Sequence, residues 1–211
     1  IELARRSAAN PVAAAQEPSR DSTLGRSQEV GRMAGDAVRQ TIELVEPQQV
    51  QKAVELIEGA PHVICIGSGG SMLLAQECAH LFSTVTGKFY AVSDSHMQMS
   101  AAATMGKEDI IILFSYSGAT TGGLQILEYA REKGIRTILI TRFNKSPAAK
   151  LADVVLRCGS NEGPFQFGSV PAKIAQLVVV DVLFQEYFHR NRECCEENIQ
   201  NIASALSGMH I

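Results

Sequence analysis

The sequence predicts an α/β protein: a three-layer α/β/α sandwich around a five-stranded parallel sheet of flavodoxin-like order 2-1-3-4-5. After Pro61, five short apolar and partly β-branched runs (62–66, 89–92, 110–114, 137–141 and 154–156) alternate with longer helix-patterned stretches. None of these runs has the in/out alternation of a half-exposed strand, so they are expected to be buried on both faces, as parallel strands are. The chain has 211 residues, 45% hydrophobic and 19% charged, enough apolar material for one core of ordinary size.

Composition narrows the class further. With 22 acids against 19 bases the formal charge is only -3, which excludes a natively unfolded chain. The same near-neutrality argues against this stretch binding DNA by itself, because phosphate contacts need a basic face. No apolar run approaches the ~18 to 20 residues of a membrane span, so a soluble protein without a membrane role is expected. The first residues, Ile1-Glu2-Leu3-Ala4-Arg5-Arg6, carry neither an initiator Met nor a secretory apolar core, and the chain is expected to be cut from a longer one. The five cysteines, Cys65, Cys78, Cys158, Cys194 and Cys195, form no C-x-x-C pair and no zinc-type spacing. They are read as reduced thiols in a cytoplasmic protein, Cys65 as a buried hydrophobe and the vicinal pair as exposed on a polar helical segment.

Taken in chain order, residues 7–23 are Ala-, Ser- and Pro-rich without periodicity, which is linker composition. Between 24 and 45, Val30, Ala34, Ala37, Val38, Ile42 and Val45 recur at three- and four-residue spacing and predict a helix. Pro47 suits the first turn of a second helix, whose buried stripe is Val50, Ala53, Val54 and Ile57 and which Gly59 ends. Further helices are expected over 71–86, 96–105, 121–133 and 146–152, with Gly87 and Gly134 as C-terminal caps. A last helix over 170–189 places Ile174, Leu177, Val178, Asp181, Val182 and Phe184 at helical spacing.

Two loops stand out. The first strand runs into Gly67-Ser68-Gly69-Gly70-Ser71 and the third into Ser115-Tyr116-Ser117-Gly118-Ala119-Thr120-Thr121, each directly before a helix. There the unpaired N–H groups and the positive end of the helix dipole favour an anion, glycine lets it approach, and hydroxyls add donors without charge. In a 2-1-3-4-5 sheet, strands 1 and 3 flank the switch point where ligands bind, so both loops should face one crevice. The plainer alternative is helix capping, which needs one hydroxyl per helix and leaves several here unexplained. A dinucleotide site is disfavoured because Gly67-x-Gly69-x-x-Met72 lacks the third glycine, although Asp94 stands where a ribose-binding acid would. Neither Gly87-Lys88 nor Gly106-Lys107 follows a Walker loop, so the expectation is a phosphate monoester bound with no metal or nucleotide cofactor.

These loops, with Ile140-Thr141, Ser146-Pro147, Leu151-Ala152-Asp153 and Glu162, resemble a SIS (sugar isomerase) domain over about residues 45–190. The S-x-S-G-x-T loop is the specific part. The resemblance implies a phosphosugar ligand, an amino-sugar 6-phosphate being one candidate, with Ser115, Ser117, Gly118, Thr120 and Thr121 at the phosphate. It places Ser68, Gly69, Gly70 and Ser71 beside the sugar. The opening Ala172-Lys173-Ile174-Ala175-Gln176-Leu177 and the flanks are similar to RpiR-type bacterial transcription regulators, in which a helix-turn-helix domain precedes a SIS effector domain. That implies residues 1–9 as the remnant of a DNA-binding domain, 10–23 as linker and 24–211 as the sensor, with DNA contacted only through the missing part. Lys173 stands where such regulators usually carry Arg, replacing a bidentate contact by a point charge.

The rival reading is an aldose-ketose isomerase, which needs a general base between adjacent sugar carbons. Glu162 is the candidate base, with His96 assisting ring opening; in a sensor Glu162 would instead hydrogen-bond ligand hydroxyls. The helices before the sandwich present apolar faces that need cover, and the resemblance implies a homodimer or homotetramer. Lys173 or His96 would then be placed to reach into a neighbouring site.

Overall fold

The computed structural model describes residues 21–160 and 169–208. Strands β1 (Val63–Gly67), β2 (Phe89–Ala91), β3 (Ile110–Phe114), β4 (Arg136–Thr141) and β5 (Val154–Arg157) form one parallel sheet of order β2-β1-β3-β4-β5, as predicted. Helices α1 (Thr23–Leu44) and α2 (Pro47–Gly59) precede it, and α3 (Gly70–Ser83), α4 (Ser95–Thr104) and α5 (Thr121–Lys133) link its strands. Helices α6 (Val170–Arg190) and α7 (Arg192–Ser207) follow.

The pleat divides the core into two layers. Val63, Cys65, Ile110, Ile112 and Phe114 point into the cluster that α2, α3 and α6 cover. Their neighbours Ile64, Ile66, Ile111 and Leu113 point the other way, against α4 and α5. Every residue of β1 and β3 is therefore buried, which is why these strands read as unbroken apolar runs. Local signals fix the helix ends: Ser22 accepts from Gly25 N at 3.0 Å, Pro47 opens α2, and Gly134 closes α5 at φ 75°.

Asp94, which stands where a ribose-binding acid would, is the N-cap of α4, its carboxylate accepting from Met97 N at 2.9 Å. Several expectations are corrected. Gly87 caps nothing, because α3 already ends at Ser83 with Thr84 as its cap. The stretch 146–152 contains only a 3-10 turn, Ala148–Lys150, beginning after Pro147. On α1 the narrow edge Ala37 and Thr41 is buried while Val30, Val38 and Ile42 are 63%, 40% and 53% exposed. The small residues pack on α6 because they allow close approach, and the large ones are left outside.

On α6 the buried stripe is Ala172, Ala175, Gln176, Val179, Val180, Leu183 and Tyr187, whereas Leu177 and Asp181 are exposed. This helix is apolar nearly all round, so spacing alone could not choose its inner face. The vicinal thiols separate: Cys194 is exposed, but Cys195 is buried and burial raises its pKa. Cys65 is fully buried as expected, and its thiol is likewise pushed up by burial, next to Cys78. The segments 1–9, 10–20 and 161–168 lie outside the described residues, and with them the N-terminal remnant, most of the linker and Glu162. No helix among the described residues is long and apolar enough to cross a membrane.

Candidate functional site

Gly67 and Phe114 are register partners at the ends of β1 and β3, so the two Ser-rich loops leave the sheet side by side. Each enters a helix within a few residues: α3 after Gly69, α5 after Thr120. Among the described residues, neither helix has a side-chain cap bond at its N-terminus, where first-turn N–H groups have no intrahelical acceptor. Capping therefore does not account for the hydroxyls. Both helix dipoles present their positive ends at this edge of the sheet.

The first loop is held by backbone. Gly67 lies so close to the next turn that a Cβ on it would stand 2.8 Å from the carbonyl carbon of Ser71, and Gly69 has φ 55°. Ser68 O accepts from Ser71 N at 3.1 Å and Gly69 O from Met72 N at 3.1 Å. Ser68, Gly69 and Gly70 are exposed and Ser71 half-buried, in reach of a ligand. Lys173, from the first turn of α6, lies over this loop: its Cε and Nζ are 3.3 and 3.9 Å from where a Cβ on Gly70 would be. It thus reaches the site of its own chain and brings a positive charge there.

The second loop is bolted from two sides. Ser115 is buried, and its Oγ is 3.2 Å from Thr120 Oγ1. Gly118 N donates to Ser115 O at 3.0 Å, and Gly118 O accepts from Ala148 N at 2.9 Å. Gly118 has φ 61° and a Cβ there would lie 2.1 Å from Ser146 Oγ, so glycine is required twice over. Thr141 Oγ1 and Arg142 N both donate to Tyr116 O, each at 3.1 Å. Ser117, Thr120 and Thr121 stay exposed, and the Ser117 hydroxyl accepts from Ala119 N at 3.3 Å. The loop is a preformed arc of hydroxyls and N–H groups with no carboxylate in it.

Of the predicted residues, the structure brings together Ser68, Gly69, Gly70, Ser71, Ser115, Ser117, Gly118, Thr120, Thr121 and Lys173. His96 stands apart from them: it is exposed in the first turn of α4, and its ring makes no hydrogen bond among the described residues. Tyr116, Thr141 and Ser146, quoted as motif residues without a role, prove to support the second loop, and one supporting side chain, Gln98, escaped the sequence reading. Gln98 is buried, and its amide donates to Gly67 O at 2.9 Å and Val92 O at 2.8 Å, tying the ends of β1 and β2 to α4. Its signal was available, since it stands four residues before buried Ala102 on the inner face of α4.

The strand order and the two loops at its switch point define a doubly wound α/β domain, a fold in which ligands bind at the carboxyl ends of strands placed as β1 and β3 are. The chain belongs to the SIS domain family, whose model matches residues 56–185. An HTH-type transcriptional regulator of Caldanaerobacter subterraneus subsp. tengcongensis is 30% identical over 189 residues, 90% of this chain and 67% of that protein. The HTH-type transcriptional regulator YbbH of Bacillus subtilis is 30% identical over 186 residues, 88% of this chain and 66% of that protein. The chain thus spans about two thirds of the length of these relatives. Among solved structures, the Vibrio vulnificus NanR protein complexed with ManNAc-6P has the same fold, with a TM-score of 0.82 at 23% identity over 87% of this chain and 69% of NanR.

Proposed function

We propose that this domain is the effector-sensing part of a transcription regulator of the RpiR type, binding a phosphorylated sugar to control sugar-metabolism genes. The observation that carries the reading is the hydroxyl arc of Ser115, Ser117 and Thr120 at the open first turn of α5, facing the Ser68–Ser71 loop. A phosphate dianion placed there accepts from N–H and O–H groups and from the helix dipole, with Lys173 balancing charge from the other side. The names of the relatives support a regulator, and NanR bound to ManNAc-6P supports a sugar phosphate as ligand class. In this reading the domain has no turnover, works in the cytoplasm and touches DNA only through a separate N-terminal part.

The exposed Val30, Val38 and Ile42 of α1 are assigned to a second copy of the chain, as the family resemblance implies. Calorimetry tests the ligand class. Hexose and N-acetylhexosamine 6-phosphates bind and their parent sugars do not; equal binding of the two sets removes the proposal.

A further inference from the structure

We infer that Tyr116, Ser160, Gly159 and Thr41 form a hydrogen-bonded relay that couples filling of the phosphate loop to the position of helix α1; it rests on the sensor reading above. Tyr116 lies between Ser115 and Ser117 and shares the backbone of the loop that an anion would load. Its own side chain packs against the core cluster under α2, α3 and α6 and reaches the exit of β5. There its hydroxyl donates to Ser160 O at 3.1 Å and shares a 2.6 Å hydrogen bond with Ser160 Oγ. Ser160 is itself buried, so this contact is not loosened by water.

The next residue back, Gly159, is held by α1. Gly159 N donates to Thr41 Oγ1 at 3.0 Å, and the fully buried Thr41 hydroxyl lies 3.2 Å from Gly159 O and 2.7 Å from Ala37 O. A hydroxyl has one proton, so it cannot donate fully to both carbonyls. Donation to Ala37 O keeps the bond inside α1, whereas donation to Gly159 O grips the strand exit. These are the two arrangements that a coupling requires, and a displacement of Ser160 favours one over the other. The contact is also tight: a Cβ on Gly159 would stand 3.0 Å from the Gln40 backbone, so strand exit and helix cannot move independently. The path from ligand loop to α1 is unbroken: Tyr116 to Ser160 by hydrogen bond, Ser160 to Gly159 along the chain, and Gly159 to Thr41 by hydrogen bond.

Hydrogen exchange by mass spectrometry on the 211-residue chain tests this, with inorganic phosphate and N-acetylmannosamine 6-phosphate as the ligands added. In the wild type, protection is expected in peptides covering 115–121 and, remotely, in those covering 37–45. Thr41→Val should leave the first response and reduce the second at least about twofold, with Thr41→Ser restoring it. Gly159→Ala, which presses on Gln40 without removing a hydroxyl, should uncouple the two in the same way if Thr41→Val does not fold. An unchanged remote response in both variants, or none in the wild type while 115–121 is protected, overturns the relay and leaves the sensor reading standing. No protection at 115–121 with either ligand removes the sensor reading and the relay with it.

Discussion

The hydroxyls of Ser115 and Thr120 lie 3.2 Å apart across the turn that Gly118 makes at φ 61°. They come from opposite ends of the loop, so the turn, not the ligand, brings them together. A loop arranged in advance loses less entropy on binding, which helps its neutral donors, with Lys173 across from them, to hold a dianion in water. Gly118→Ala is expected to disturb this directly. Both Ser146 Oγ and Ser146 Cβ would lie within 2.5 Å of the new methyl, so rotating the serine does not relieve the clash. Overpacking of this kind costs roughly 1–3 kcal/mol, read as a lower urea midpoint at constant m.

Ser117→Ala removes an exposed hydroxyl whose one hydrogen bond among the described residues is the weak 3.3 Å contact with Ala119 N. Stability should stay within about 0.5 kcal/mol of wild type. Phosphosugar affinity should fall by about 1–3 kcal/mol through the lost hydrogen bond to a charged group. Calorimetry and thermal melting on the same sample separate the two effects, and an unchanged affinity would take Ser117 out of the site.

Gln98→Leu probes the scaffold beneath the first loop. It removes the donor that satisfies Gly67 O and Val92 O, leaving buried carbonyls with one partner fewer. The expected loss is about 1–3 kcal/mol of stability, together with weaker ligand binding because Gly67 opens the loop. Denaturant unfolding with and without ligand checks both halves.

A fourth expectation concerns α1. Val38 and Ile42 stand one turn apart on α1 and are exposed in the single chain, as is Val30 nearer its N-terminus. If a second copy covers them, Val38→Asp lowers the mass measured by light scattering to that of one chain. A wild type that is already monomeric at micromolar concentration contradicts the assignment.

The sheet and both loops were legible because their signals are local. Buried parallel strands are unbroken apolar runs, and a loop such as Ser115-Tyr116-Ser117-Gly118-Ala119-Thr120 has no purely structural need for so many hydroxyls. What escaped depends on three-dimensional packing. The inner face of α6 could not be read because apolar residues surround the helix, and α1 hides its small residues rather than its large ones. Helix α7 passed unassigned beyond a polar helical segment, since most of it is exposed and Cys195 is its one buried residue. Asp94 stood at the position of a ribose ligand yet proved to be a cap, a choice that only the Met97 N contact decides. The partnership of Tyr116 with Ser160 joins residues 44 apart, a separation no local pattern records.

Binding of a phosphosugar without turnover can be read by NMR of candidate aldose and ketose phosphates with the protein in heavy water. An isomerase working through an enediol carries a proton between C1 and C2 on a base, where it can exchange with solvent. Ligand signals are expected to broaden or shift on binding, with no aldose–ketose interconversion and the hydrogens at C1 and C2 unexchanged. Catalytic incorporation of deuterium at either carbon, abolished by Glu162→Gln, would contradict it and make this chain an isomerase.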